Sequence, residues 1–100
     1  MRLLIQQIEQ WGEDKGILPN PDPVAQLNKT QEEVDELREA ITYIDKAEIK
    51  DAIGDIVVTL VMQCKAWDLD LEDCVQSAYD VISKRTGKMV DGQFVKESVA

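Results

Sequence analysis

The sequence predicts an all-α protein, a bundle of four helices with a short extension after the fourth. Apolar residues recur at helical spacing through most of the 100 residues. The three prolines all lie in the segment PNPDP at 19–23, so the rest of the chain lacks this helix breaker. The connections between the helical stretches are short, which favours antiparallel neighbours. The length indicates one small domain spanning residues 1–100, for which we expect oligomerisation.

The first two helices are predicted on either side of the proline segment. The first covers residues 1–15 and ends at Gly16, and its apolar stripe consists of Leu4, Ile5, Ile8 and Trp11. Asp22 is a suitable N-cap for the second helix, with Pro23 at its first position. That helix runs to about Tyr43, and its apolar stripe contains Leu27, Val34, Leu37 and Ile41.

The second half of the chain predicts two further helices and a distinct tail. A turn at 44–46 leads to a helix over about 47–67, whose segment 52–64 is apolar nearly all round. Asp70 can cap a fourth helix that ends before Gly87, with Leu71, Val75, Ala78 and Ile82 on its inner face. In the tail, Asp91-Gly92 between short apolar runs indicates a β-hairpin, with a loosely docked strand or coil as the equal alternative.

Carboxylates form a stripe on each of the two middle helices. Helical geometry places Glu32, Glu33 and Glu36 within about 100° of one another, beside the apolar face. A second stripe, of Glu48, Asp51 and Asp55, falls within about 60° and continues into buried apolar positions. We therefore expect Asp55 to be partly buried. Crowded, poorly hydrated carboxylates must be protonated, paired with cations or bound to a metal.

These six carboxylates predict a metal site if the two helices pack antiparallel. Oxygen ligands without histidine suit a hard cation such as Mg²⁺ or Mn²⁺, which can bridge phosphate oxygens and orient water. The alternative is that the run EEVDEL is a solvated helix face. The second stripe favours the metal site, because Asp55 directly precedes the apolar run IVVTLVM.

Other residues have weaker functional interpretations. Lys84 and Arg85 could neutralise phosphates or could be ordinary cations at a helix C-terminus. Trp11 could stack on a nucleobase, although a core or interface role is the commoner one. Gly54 is unfavourable inside a helix, and either a close helix crossing or a tolerated defect would account for it. Cys64 and Cys74 lack redox spacing and are interpreted as buried free thiols.

Composition limits the partners and the location of the chain. The net charge of −9 argues against binding to nucleic acid or to an anionic membrane surface. The apolar segment 52–64 is too short to span a bilayer, and no secretory signal is visible at the N-terminus. We therefore expect a cytoplasmic protein.

The carboxylate spacing resembles that of the all-α MazG-like nucleoside triphosphate pyrophosphohydrolases, particularly short phage-type members. Their pattern is EExxE on one helix and ExxD on the next, and residues 32–36 match the first part. Asp55 aligns with the final Asp, but Ala52 stands where the pattern has Glu. Asp51 could replace it, and Glu48 begins an ExxD one turn earlier, so either could be the ligand.

The resemblance covers about residues 24–96 and implies an enzyme. Its implied reaction is cleavage of an NTP or dNTP to the monophosphate and pyrophosphate, with Mg²⁺ as cofactor and a homodimer or homotetramer as the active form. Glu32, Glu33 and Glu36 would be catalytic as well as metal-binding. In the C-terminal segment Lys84 and Arg85 would approach the phosphates, and Asp80 stands near the place where relatives often have Asn. The alternatives are a phosphoribosyl-nucleotide or dUTP/dCTP-selective enzyme, and a non-catalytic acidic interaction module.

Overall fold

Four helices and a two-stranded hairpin make up the described part of the chain. The structure is a computed structural model and describes residues 1–97. The helices are α1 (Arg2–Asp14), α2 (Pro23–Thr42), α3 (Lys46–Ala66) and α4 (Leu71–Ile82), and the strands are β1 (Gly87–Val90) and β2 (Gln93–Lys96). This order confirms the predicted all-α architecture with a C-terminal hairpin.

Aspartate caps begin three of the helices, and Asp22 and Asp70 are the two that the sequence predicted. The carboxylate of Asp22 accepts hydrogen bonds from the backbone N–H groups of Val24 and Ala25, and Pro23 occupies the first turn of α2. Asp45 and Asp70 similarly accept backbone N–H groups at the starts of α3 and α4. Such caps satisfy N–H groups that have no partner within the helix.

Helices α2 and α3 form an antiparallel hairpin that contains most of the helix packing. The amide of Gln63 donates to the carbonyl of Pro23 at one end, at 2.9 Å. Further along, the hydroxyls of Thr30 and Thr59 hydrogen-bond at 2.8 Å. The bonded residue on α3 has a lower number when its partner on α2 has a higher one, so the two helices run antiparallel. The turn at 43–45 therefore reverses the chain.

A small core lies where α1 and the N-terminus of α4 meet α3. Its buried members are Ile5, Leu18, Val61, Met62, Cys64 and Leu71. At Gly12 of α1 an added Cβ would lie 2.8 Å from the buried Met62 side chain of α3, so α1 and α3 approach each other closely at this glycine. Outside the core, Lys65 and Glu9 form an ion pair of 3.2 Å between α3 and α1.

The two cysteines are free, as predicted. Their sulfur atoms lie 4.0 Å apart, joining the end of α3 to the start of α4, and Cys64 is buried whereas Cys74 is half-buried. Burial raises the pKa of the Cys64 thiol to about 11, so this group stays protonated at neutral pH.

The predicted inner face of α4 is wrong beyond its first turn. Leu71 is buried, but Val75, Ala78 and Ile82 are exposed, because the helix leaves α1 and α3 after its N-terminal turn. The hairpin is also exposed along both strands. Its two-residue turn has Asp91 and Gly92 at φ values of 49° and 81°, which matches a type I′ turn. Accordingly, the radius of gyration is 16.0 Å, against about 13 Å for a compact chain of this length.

Replacing Asp22 by Ala tests the cap that starts α2. The substitution should lower the free energy of unfolding by about 0.5–2 kcal/mol, because two backbone N–H groups lose their acceptor. Asp22→Asn is the matched control and should keep most of the stability, since Asn also caps helices. Urea denaturation measures both, and equal losses in the two variants would show that charge, not capping, is responsible.

Candidate metal centre

Three carboxylates converge at the seam between α2 and α3. Glu33 and Glu36 come from α2 and Asp55 from α3, and each offers an oxygen within 4.8 Å of the other two. They lie one helical turn from the hydrogen-bonded pair Thr30 and Thr59, which holds the two helices together at this level. The group of Glu33, Glu36 and Asp55 is called the carboxylate cluster below.

Glu33 is the buried member of the cluster. Its exposed fraction is 7 %, and its Oε2 atom is buried without a hydrogen-bond partner. Its other oxygen, Oε1, lies 3.7 Å from the ammonium of Lys29. Leaving a buried carboxylate oxygen unpaired is unfavourable, so this atom is suited to receive a cation.

Burial and mutual repulsion shift two of the three carboxyls in the same direction. Burial, followed by the interaction with Glu36, raises the pKa of Glu33 above its ordinary value. Burial raises the pKa of Asp55 too, and the negative charge of Asp51 adds to the effect. Lys29 opposes both shifts without cancelling them. The positive charge of Lys29 therefore does not balance the negative charge of the carboxylate cluster.

Lys29 is the cation in contact with this cluster, and sequence reasoning missed it. Its ammonium lies 3.2 Å from Glu32 Oε2 as well as near Glu33. The sequence contains the spacing that indicates this contact. Lys29 precedes Glu32 and Glu33 by three and four positions, and side chains at these spacings meet on one face of a helix.

The remaining predicted ligands lie around the cluster. Glu32 is exposed and paired with Lys29, whereas Asp51 is exposed on α3 and close enough to raise the pKa of Asp55. Glu48 is exposed and lines a neighbouring cavity that also includes Glu36. Ala52 is buried, 3 % exposed. None of Glu32, Glu48 and Asp51 joins the three-residue group, although all three border it.

The predicted substrate-binding residues are spread over other elements. Lys84 and Arg85 follow α4 and are exposed, and Asp80 accepts a hydrogen bond from Gln76 on the same helix. Trp11 is half exposed on α1. Within residues 1–97 no ion pair or hydrogen bond joins any of these four to the carboxylate cluster.

The donor set fits a hard divalent cation. Carboxylate oxygens are the ligands that Mg²⁺ and Mn²⁺ prefer, and the cluster combines one buried unpaired oxygen with two more accessible groups. A cation bound there would offset both the loss of hydration and the repulsion that raise the pKa values of Glu33 and Asp55. The accessible side leaves room for ligands that the protein does not supply, as a catalytic magnesium site requires.

Comparison with known proteins identifies the family of this chain. The model for the MazG nucleotide pyrophosphohydrolase domain matches residues 23–90, which contain the whole carboxylate cluster. The chain belongs to the MazG family. This class of enzyme consists of hydrolases that act on acid anhydrides, generally with a divalent metal.

A phage protein is a sequence relative. It is named an uncharacterized 18.2 kDa protein in the rep-hol intergenic region of Haemophilus phage HP1 (strain HP1c1). The identity is 36 % over 70 residues, which cover 70 % of this chain and 43 % of the relative. The chain therefore aligns with less than half of that protein, and the similarity supports a phage-type member of the family. No solved structure gives a significant match.

The length and apolar character of the helices bear on whether the chain could span a membrane. In the part of the chain that the structure describes, none is both long enough and apolar enough to cross a bilayer.

The raised pKa values predict how Asp55→Asn changes stability with pH in metal-free protein. A carboxyl whose pKa is higher in the folded state adds stability at low pH and loses it as pH rises through that folded-state pKa. Asp55→Asn should therefore be more stable than wild type at about pH 7, and the difference should shrink toward about pH 5.

Denaturation with a chelator present measures this difference at the two pH values. Asp35→Asn is the matched control, because it removes the same charge from an exposed position outside the cluster. A large loss of stability in Asp55→Asn at neutral pH would contradict the interpretation and would mean that Asp55 has a strong protein partner.

Proposed function

We propose that this protein hydrolyses nucleoside triphosphates, NTP or dNTP, to the monophosphate and pyrophosphate with Mg²⁺ or Mn²⁺ as cofactor. The observation that carries this proposal is the convergence of Glu33, Glu36 and Asp55, of which Glu33 has a buried, unpaired carboxylate oxygen, in a chain of the MazG family. The net charge of −9 does not oppose an anionic substrate, because a bound divalent cation reverses the local sign.

The carboxylates have separate tasks in this reaction. The cluster would hold the cation, with Glu48 or Asp51 as a further ligand. When bound, this cation would neutralise phosphate charge and polarise the phosphorus under attack. Glu32, bordering the cluster, or one of its two glutamates accepts the proton of the attacking water. The water oxygen then bonds to the α-phosphorus as the bond to the bridging oxygen breaks, and pyrophosphate leaves.

Residues outside the cluster complete the proposed substrate site. Lys84 and Arg85 contact phosphates, Asp80 lies beside them, and Trp11 contacts the nucleotide. Lys84 and Arg85 are exposed and thus free to meet a polyphosphate. We propose that the whole of residues 1–100 acts as one such domain in the cytoplasm, that of the host for a phage protein, without a nucleic-acid or membrane partner.

Release of pyrophosphate tests the reaction. With Mg²⁺ and a panel of nucleotides, the protein should release pyrophosphate and not orthophosphate. Glu36→Gln and Asp55→Asn should each lower the rate on the order of 100-fold or more, because each removes a ligand charge at the reacting centre. Asp35→Asn serves as the control and should keep the wild-type rate.

The same panel separates the alternatives. Preference for a phosphoribosyl-nucleotide, dUTP or dCTP would narrow the substrate range of the enzyme and leave the proposed reaction unchanged. Failure to hydrolyse any nucleotide would contradict the proposed enzymatic activity and favour the non-catalytic acidic interaction module. The buried Ala52, at a place where the resemblance implies Glu, would then explain the loss of catalysis.

Metal binding should stabilise the fold. A ligand bound only by the folded state adds about 1.4 kcal/mol at roughly ten times its Kd. For a domain of this size the melting temperature should rise by about 5–10 °C with Mg²⁺ or Mn²⁺. Differential scanning fluorimetry measures the shift. It should be much smaller in Asp55→Asn but unchanged in Asp35→Asn, and a wild type that ignores millimolar divalent ions would contradict the site.

The exposed apolar surface of α4 and the hairpin supports a homodimer or homotetramer. Val75, Tyr79 and Ile82 on α4 and Phe94 and Val95 on β2 are each about half exposed. Apolar patches of this kind on a small domain mark protein interfaces. Sedimentation should therefore show a dimer or larger, and Val75→Asp should shift it toward monomer. A wild type that is strictly monomeric and active would refute the assembly.

A further inference from the structure

Lys29 lies on α2 at the edge of the carboxylate cluster. Its ammonium contacts two carboxylates at once, at 3.2 Å from Glu32 Oε2 and 3.7 Å from Glu33 Oε1. The side chain of Lys29 is 55 % exposed, whereas that of Glu33 is 9 % exposed. Among residues 1–97, the ion pairs other than those of Lys29 involve no member of the cluster. Lys29 is therefore the protein's own counter-ion at this site.

The ammonium of Lys29 offsets the charge of the cluster only in part. Its distance to Oε1 of Glu33 is longer than a hydrogen bond, and Oε2 of the same carboxylate is buried without a partner. Its shorter contact is to Glu32, outside the cluster. Within the described chain, Glu36 and Asp55 form no ion pair. Negative charge therefore remains at the seam between α2 and α3.

A divalent cation at the cluster would be attracted by the same carboxylate that Lys29 contacts. Like charges repel, and a few ångströms apart near a protein surface they repel strongly enough to change an affinity several-fold. Salt weakens this repulsion, because the side chain of Lys29 is accessible to solvent. Lys29 would therefore oppose the divalent cation, although both stabilise the ionised form of Glu33.

We propose that Lys29 is a built-in counter-ion that competes with the divalent cation for Glu33 and thereby sets the cation affinity of the carboxylate cluster. Without the cation, its ammonium stabilises the fold by partly neutralising Glu32 and Glu33. With the cation, its positive charge lowers the affinity. Lys29 acts through these carboxylates and is neither a ligand nor a catalytic group. This inference rests on the metal-dependent reaction proposed above.

Neutral variants at position 29, with matched controls, test the proposal. Lys29→Met and Lys29→Gln remove the charge and keep an unbranched side chain that suits a helix. Lys29→Arg keeps the charge. Lys46→Met removes the same charge from an exposed position at the start of α3. Lys46 precedes Asp55 by nine residues, or about 14 Å along the helix, a distance at which salt screens most of the interaction.

Isothermal titration calorimetry of metal-stripped protein measures the affinity for Mn²⁺. At about 0.1 M salt, Lys29→Met and Lys29→Gln should bind Mn²⁺ about 3- to 10-fold more tightly than wild type, and the gain should shrink at about 1 M salt. Lys29→Arg and Lys46→Met should bind as wild type does. Without metal, the two neutral variants should melt roughly 1–5 °C below wild type, because Glu32 and Glu33 lose their counter-ion.

Two kinds of result would overturn the competition. Weaker Mn²⁺ binding by the neutral variants would show that Lys29 orients Glu33 for the cation and does not compete with it. Unchanged binding would show an ion pair without influence on the site. An equal gain of affinity in Lys46→Met would also overturn the proposal, because it would assign the effect to net charge.

The proposed function fails by a different result. Mn²⁺ binding with the expected differences, but no pyrophosphate release by wild type, would contradict the hydrolysis alone and support the role of Lys29. If neither wild type nor Lys29→Met bound Mn²⁺, the metal site and this inference would both be wrong.

Discussion

The central constraint on this structure is the cost of placing Glu33 and Asp55 at the edge of the helix packing. Both carboxyls lose hydration there, and both have raised pKa values because burial and neighbouring negative charge disfavour ionisation. In the described chain, Lys29 is the one cation that contacts the cluster, and it is shared with Glu32. A divalent cation would relieve this arrangement more completely than protonation, because it could satisfy several oxygens at once.

The antiparallel hairpin of α2 and α3 determines which carboxylates meet. The hydrogen bond between Thr30 and Thr59 fixes the register of the two helices one turn from the cluster. Ala52, one turn before Asp55 on α3, is buried and has no carboxylate to add to the site. The site consequently depends on three converging residues, with Asp51 and Glu48 bordering it. The other elements extend this hairpin: α1 packs against α3 through the small core, whereas α4 and the β-hairpin expose apolar side chains.

Local signals in the sequence predicted the helices well, because caps, prolines and apolar spacing act over a few residues. Asp22 and Asp70 each begin a helix as predicted, and Asp91-Gly92 forms the expected turn. The partial burial of Asp55 also followed from its place before an apolar run. Periodicity assigns carboxylates to a face but cannot say which of them reach the seam, since that depends on helix crossing. For the same reason it gave α4 an inner face that the chain leaves exposed.

Paramagnetic broadening by Mn²⁺ tests the central claim most directly. In amide NMR spectra of metal-free protein, substoichiometric Mn²⁺ should first broaden the signals of residues around Glu33, Glu36 and Asp55. Asp55→Asn should weaken this effect, and Asp35→Asn should leave it unchanged. Broadening that begins instead at the exposed acidic residues Asp68 and Asp73, or that spreads evenly over the acidic surface, would contradict the account.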